Sequence, residues 1–398
     1  MRPLAQLAVS AQDHGHWFTG DIAVATERAP PRFGTHGEYM TTTTPLSPPT
    51  SRTFEGIICI MVGMFLFVGQ DVLMKDLLGA YPVWMLIFTR SVVAVLVLTP
   101  LIVSLGAPHR LRTPLWPWHL LRAFLFASGF ALFYAAFPFM NFAVVTTIFF
   151  AAPLMTAVMA SLFLGESIGL PRLTALMVGF GGVIIAMNPM GETFQWIAIL
   201  PLLCALTYAI SQIIVRKIGE QETTLTIGLY TIAFSGIMIG PMGWLLNQFV
   251  TIGPEARHLR ADWPMPTGDD LILLAMLGGI GMVGYLLVSR AYQIANPSVV
   301  APFDYTYLPF AAVIGYVLWD ETPALTTIIG MSLIIMSGVF IGYRELIASR
   351  TTDQPPPTAE ATFAPGNPAA PLALMTDVDG GVMDDAMEPP EAETAFKP

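Results

Sequence analysis

The chain has 398 residues, 54% hydrophobic and 12% charged, with a formal net charge of −10. Soluble proteins carry about 25% charged residues, so a chain this apolar excludes an ordinary water-soluble core and has the bilayer for its solvent. Much of the acid lies after residue 350, so the net charge points to no basic or acidic partner, and no nucleic-acid partner is expected.

Residues 1–53 contain Pro, Thr, His and Gly without sustained periodicity. No basic start leads into an apolar core, so they are not a signal peptide. They read as a disordered N-terminal extension. Met40 opens M-T-T-T-T-P-L-S-P-P-T, a short polar lead into the first span, and is an alternative start.

From Gly56 to Tyr343 one hydrophobic run follows another. A helix needs about 20 residues to cross the hydrocarbon. Spans are predicted near 56–78, 82–104, 116–137, 142–164, 171–188, 194–214, 224–246, 270–288, 298–319 and 324–343. Runs this long exclude barrel strands, which alternate over about 10 residues. The backbone must then be satisfied inside helices. The expected fold is an all-α membrane protein of ten transmembrane helices in two sets of five, 56–188 and 194–343. Residues 351–398 return to Pro, Ala, Thr, Asp and Glu and read as a disordered acidic tail.

A repeat supports the halves. Asn141–Glu166 aligns without gaps on Asn296–Glu321, with identities at Asn141, Val144, Val145, Ala157, Val158 and Glu166. Both segments are fourth in a set of five. With a cytoplasmic N-terminus, the inner side holds Arg52, Arg110, Arg112, Arg122, Arg172, Arg216, Lys217, Arg290, Arg344 and Arg350, and the outer side Lys75, Arg257 and Arg260. This is a positive-inside bias, and it puts both termini in the cytoplasm. Five spans is an odd number, so the second half is expected upside down relative to the first, a recurring plan of secondary transporters.

Ionisable residues within a span cost about 2.5–3.5 kcal/mol at the helix centre and face a bundle interior or a wet cavity. Asp71 and Arg90 lie at equal depth on neighbouring spans, which makes an ion pair or a substrate contact, with Lys75 one turn away to share the carboxylate. Asp304 lies between Pro302 and Pro309, which loosen its helix; it is either a binding carboxylate or one tied down by a tyrosine. Tyr305 and Tyr307 add hydroxyls and ring faces there. Arg122 reads as an interface anchor that snorkels. Glu166 and Glu321 read as turn-fixing residues. Tyr134, Tyr208, Gln212, Tyr285, Gln293 and the pair Phe149 and Phe150 are softer candidates.

Other signals read as packing. Gly279, Gly281 and Gly284 spell G-x-G-x-x-G inside an apolar run, with no preceding strand, so they are no dinucleotide loop. Gly236 with Gly240, and Gly338 with Gly342, allow close helix approach. Cys59 and Cys204 sit in apolar runs and suggest neither disulfide nor metal. No ATP-binding motif, nucleophile elbow or zinc motif is present, so no cofactor or metal is expected, and any pumping draws on ion or solute gradients.

With F-A-A-P-L through L-G-E (Phe150–Glu166), A-P-F-D-Y-T-Y-L-P-F-A-A-V-I-G-Y-V-L-W-D-E-T-P (Ala301–Pro323), Q-D-V-L-M-K (Gln70–Lys75) and Arg90, the chain resembles the drug/metabolite transporter superfamily, in its ten-span branch of two EamA-type repeats. The resemblance implies an inverted-repeat fold around a central cavity that moves small organic solutes. The A-P-F-D-Y stretch is similar to a bacterial subgroup with S-adenosylmethionine and riboflavin carriers. The long tails depart from the family's compact pattern.

The sequence thus reads as a secondary active transporter of the inner membrane, monomer or homodimer, with a coupling proton or counter-solute. Asp71, Arg90 and Asp304 would orient a small polar solute, and Phe149, Phe150 and Tyr305 would meet its apolar part. The competing classes are a membrane-embedded enzyme acting on lipid-linked substrates, which would need a nucleophile or metal set near an interface, and a non-transporting scaffold.

Overall fold

The computed structural model describes residues 53–106, 111–164, 169–189, 196–218, 221–295 and 297–351. The expectations for the extension up to 52, for the tail from 352 on, and for Met40, Arg52, Arg110, Glu166 and Asn296 lie outside the described residues. Among those described, all regular structure is helical.

The first half gives α1 (Thr53–Leu77), α2 (Val83–Leu105), α3 (Trp116–Ala135), α4 (Phe142–Phe149), α5 (Ala151–Leu164) and α6 (Leu170–Met187). In the second half a 3-10 turn, Trp196–Ala198, leads into α7 (Ile199–Ile218), followed by α8 (Thr224–Phe249), a 3-10 segment at Pro254–Leu259, and α9 (Gly268–Ile294). Then come α10 (Pro297–Val300), a 3-10 segment at Ala301–Thr306, α11 (Tyr307–Trp319) and α12 (Leu325–Thr351). Among the described residues nine helical stretches are long and apolar enough to cross a membrane, with α4 and α5 counted as one.

The ninth expected span is therefore not one continuous helix. Pro302 and Pro309 each lack the N–H that would close an i→i−4 bond, and Ala301–Thr306 winds as 3-10 helix before α11 begins. The fourth span breaks at Phe150, four residues after Thr146, whose carbonyl takes the Phe150 N–H at 3.1 Å. There Pro153 removes the bond that the Phe149 carbonyl would receive. Both breaks lie in the segments related by the sequence repeat.

Helix ends follow local chemistry. Thr267 caps α9, its side chain accepting from Asp270 N while the Asp270 carboxylate returns to the Thr267 N–H. Thr223 caps α8, its hydroxyl accepting from the Thr226 N–H at 3.3 Å. Asn188 and Asp320 close α6 and α11 in the left-handed conformation. Outward positions such as Leu96, Val103, Phe163, Ile237 and Val317 are exposed and apolar, as a lipid-facing surface requires.

α1 packs on α9, α3 on α7 and α8, α2 on α8 and α9, α6 on α12, and α4 on α11. Small residues set the approach. A Cβ on Gly63 would lie 2.6 Å from a Val288 methyl, and one on Gly284 3.2 Å from the Gly63 carbonyl; the G-x-G-x-x-G run is thus part of a helix contact. Gly236 admits Ser91, and Gly338 leaves room for the Tyr305 ring, so these pairs serve internal packing as expected. α6 and α12 meet backbone to backbone at Gly182 and Gly330.

A Cβ on Gly330 would collide with the Gly182 carbonyl and lie 2.8 Å from Ala186 N, whereas one on Gly181 meets nothing within 4 Å. Gly330→Ala should therefore cost about 1–3 kcal/mol through overpacking and lower the thermal midpoint in detergent. Gly181→Ala should leave that midpoint unchanged or raise it.

Candidate functional site

Asp71 sits on α1 with no exposed surface. One carboxylate oxygen accepts from the Tyr134 hydroxyl of α3 at 2.8 Å, the other from the Tyr307 hydroxyl of α11 at 2.6 Å. The Tyr134 oxygen in turn accepts from Arg90 Nη1 of α2 at 2.9 Å. Four helices from both halves thus converge on one carboxylate. The Arg90 guanidinium also stands 6.0 Å from the Phe130 ring centre and 5.7 Å from that of Tyr134. The expected direct pairing of Asp71 with Arg90 is corrected here: a phenol stands between them and carries the hydrogen bonds.

Lys75 does not share Asp71. One turn further along α1, it pairs with the Glu321 carboxylate and lies 4.4 Å from the Trp319 ring centre. The other Glu321 oxygen accepts from the Phe142 N–H at 2.6 Å. That N–H belongs to the first turn of α4, where helix donors are unsatisfied and a negative charge is favoured. One residue therefore ties the ends of α1, α4 and α11 together, a wider role than fixing a turn. Outside it is a cavity of about 420 Å³ lined by Lys75, Phe139, His258, Trp319 and Glu321 among others. The His258 ring meets the Ala135 carbonyl at 3.2 Å, and burial pushes its pKa below the ordinary value.

Aromatic rings fill the space behind the carboxylate. Phe149 stands 5.2 Å from Phe133 and 5.6 Å from Tyr208. Phe150 stands 5.6 Å from both Tyr305 and Tyr307. Phe150 and Tyr305 are equivalent positions of the repeat, so the two broken helices touch at matching residues.

Asp304 is buried, but it does not join the Asp71 network. Its carboxylate accepts from the Tyr292 hydroxyl of α9 at 2.9 Å, so a tyrosine does hold it. Arg122 is no snorkelling anchor: it has no exposed surface and donates to the Thr231 hydroxyl of α8. Tyr208, Gln212 and Tyr285 are buried with it, while Gln293 is exposed. In the sequence Tyr134 and Tyr307 are two among several aromatics. Their one distinguishing signal is a hydroxyl at the depth of Asp71, which needs the helix rotation to be read.

The EamA-like transporter family matches the chain twice, over residues 54–188 and 195–343. The chain belongs to that family. Among curated relatives, a riboflavin transporter of Vibrio cholerae is 28% identical over 264 residues, covering 65% of this chain and 82% of the relative. An S-adenosylmethionine uptake transporter of Rickettsia bellii is 27% identical over 290 residues, covering 73% and 94%. A riboflavin transporter of Rhizobium johnstonii is 29% identical over 238 residues, covering 59% and 73%. This EamA-like chain is thus grouped with membrane transporters and not with enzymes, which sets aside the lipid-linked enzyme.

Tyr134→Phe removes one oxygen and leaves a buried guanidinium and carboxylate each short of a partner. An unsatisfied buried group costs about 1–3 kcal/mol, so the thermal midpoint should fall and its pH dependence should change. Phe133→Leu, at the neighbouring buried ring of α3, is the control. It should lower the midpoint through packing alone and leave the pH dependence as in the wild type.

Proposed function

We propose that the chain carries a small organic metabolite across the cytoplasmic membrane by alternating access, with both termini in the cytoplasm. Two inverted five-helix halves, 56–188 and 194–343, would rock about the Asp71 layer. Number the crossings in chain order. The packed pairs 1–8 and 3–7 turn into 6–3 and 8–2 when the halves are exchanged, and 2–7, 4–9 and 5–10 turn into themselves; all are packed pairs. That exchange symmetry supports an inverted duplication.

The observation that carries the reading is the Asp71 carboxylate, held by one hydroxyl from each half. Of the two, only the Tyr307 bond crosses between the halves, so it is the one that relative motion would break. A carboxylate losing a donor either takes a proton or takes a polar group of the solute, which links movement to binding. Phe149, Phe150 and Tyr305 would meet the flat, apolar part of the cargo, and the relatives that carry riboflavin and S-adenosylmethionine favour a solute with a heteroaromatic ring. In this arrangement the Lys75–Glu321 pair closes the α1–α2 face.

Flux into proteoliposomes is the test, with riboflavin and S-adenosylmethionine as probes. Asp71→Asn keeps shape but loses the charge. It should cut flux at least about ten-fold, a loss on the order of 1.4 kcal/mol, while the protein remains folded. Unchanged flux would remove Asp71 from the mechanism.

A further inference from the structure

Over the first two helices of each half, a shift of 141 residues brings the helix boundaries into register. It places the end of α1, Leu77, on the end of α7, Ile218, and the start of α2, Val83, on the start of α8, Thr224. It also places the mid-helix Pro100 of α2 on the mid-helix Pro241 of α8. Under the same shift Asp71 falls on Gln212 and Arg90 falls on Thr231. The second half therefore has neutral side chains where the first has its carboxylate and its cation. A guanidinium is nevertheless present: Arg122 of α3 reaches the Thr231 hydroxyl.

The side chains around Arg122 are neutral hydroxyls and an amide, each able to donate a hydrogen bond. Tyr208 and Tyr285 lie within electrostatic reach of it. Gln212 faces Tyr208, yet neither atom of its amide meets a partner at hydrogen-bonding geometry. Ser289 stands beside Tyr285 with its hydroxyl likewise unmatched, and so does Ser211, next to Gln212. These side chains are at most 4% exposed. Buried polar atoms are almost always hydrogen-bonded in folded proteins, and unmatched ones one turn from Tyr208 on α7 and one turn from Tyr285 on α9, the two tyrosines that reach Arg122, mark a place where a polar guest belongs.

We infer that Arg122, Gln212 and Ser289 form a second solute station, distinct from the Asp71 layer, that takes an oxyanion of the cargo, a carboxylate or a phosphate. This rests on the transport reading. A guanidinium presents a fork of N–H donors that matches either anion, and the amide and hydroxyls add neutral donors around it. Asp304 also lies within reach of Tyr208, so a cation carried beside the oxyanion would meet a carboxylate there. The two stations belong to opposite ends of the bundle. Asp71 lies six residues before the end of α1, on the side of the α1–α2 turn, and Arg122 six residues after the start of α3, on the other side. A solute would pass from one to the other as the halves move.

The test uses the full chain and matched solutes that differ in one oxyanion: S-adenosylmethionine against its decarboxylated form, and flavin mononucleotide against riboflavin. Both thermal stabilisation in detergent and flux in proteoliposomes are read. In at least one pair the wild type should prefer the oxyanion member by about ten-fold or more, the size expected for hydrogen bonds to a charged group. Which pair responds distinguishes carboxylate from phosphate. Gln212→Leu and Ser289→Ala, chosen because Arg122→Gln risks misfolding, should shrink that preference by weakening binding of the oxyanion member. No preference in either pair, or a preference that survives both variants, overturns the station. Absence of flux for every solute, with the stabilisation pattern intact, would instead count against the transport reading alone.

Discussion

A carboxylate without water needs donors, and Asp71 finds them in two phenols that come from different halves of the chain. Much of the architecture follows from that need. Tyr307 reaches Asp71 because the ninth crossing is broken and restarts as α11 at Tyr307 itself. Tyr134 reaches it from the last turn of α3 and brings Arg90 into the same network. A continuous ninth helix would give the Tyr307 hydroxyl a different direction. The prolines that deny α11 a longer run thus serve the carboxylate as well as the bend.

The same coupling of halves is repeated one turn away with different chemistry. Lys75 and Glu321 form an ion pair at the rim, where the Glu321 carboxylate also satisfies the first turn of α4. Ion pairs near a surface are modest in strength, which would suit a contact that opens in the proposed cycle. The phenol–carboxylate bonds lie deeper and are shielded by the Phe149 and Phe150 ring clusters. From this face inward the contacts are graded: an ion pair, then the hydrogen-bonded carboxylate, with the rings behind it.

Much of the fold can be read from the sequence. Long apolar runs, short loops and the Asn141–Glu166 echo indicate ten crossings in two sets, and the two family matches fall on the same stretches. Asp71 and Arg90 stand out because charge in lipid is rare. What cannot be read depends on helix rotation and on distance along the chain. Eleven tyrosines are present, and only rotation distinguishes Tyr134 and Tyr307 from the rest. Lys75 and Glu321 are 246 residues apart. Arg122 reads as an interface anchor in the sequence because it lies near a helix start, where a long side chain can snorkel; packing of α3 against α7 and α8 instead buries it. Apolar content suggests a continuous ninth span because it says nothing of the bonds that two prolines remove.

The central claim is that the halves move about the Asp71 layer so that one face opens as the other closes. Pulsed electron resonance in lipid nanodiscs measures this directly, with Cys59 and Cys204 replaced and spin-label pairs at Asp76 and Thr322 on the α1–α2 face and at Leu170 and Lys217 on the other. Adding the transported solute should shift the two distance distributions in opposite directions. Distances that stay fixed, or that lengthen together on both faces, would contradict the account.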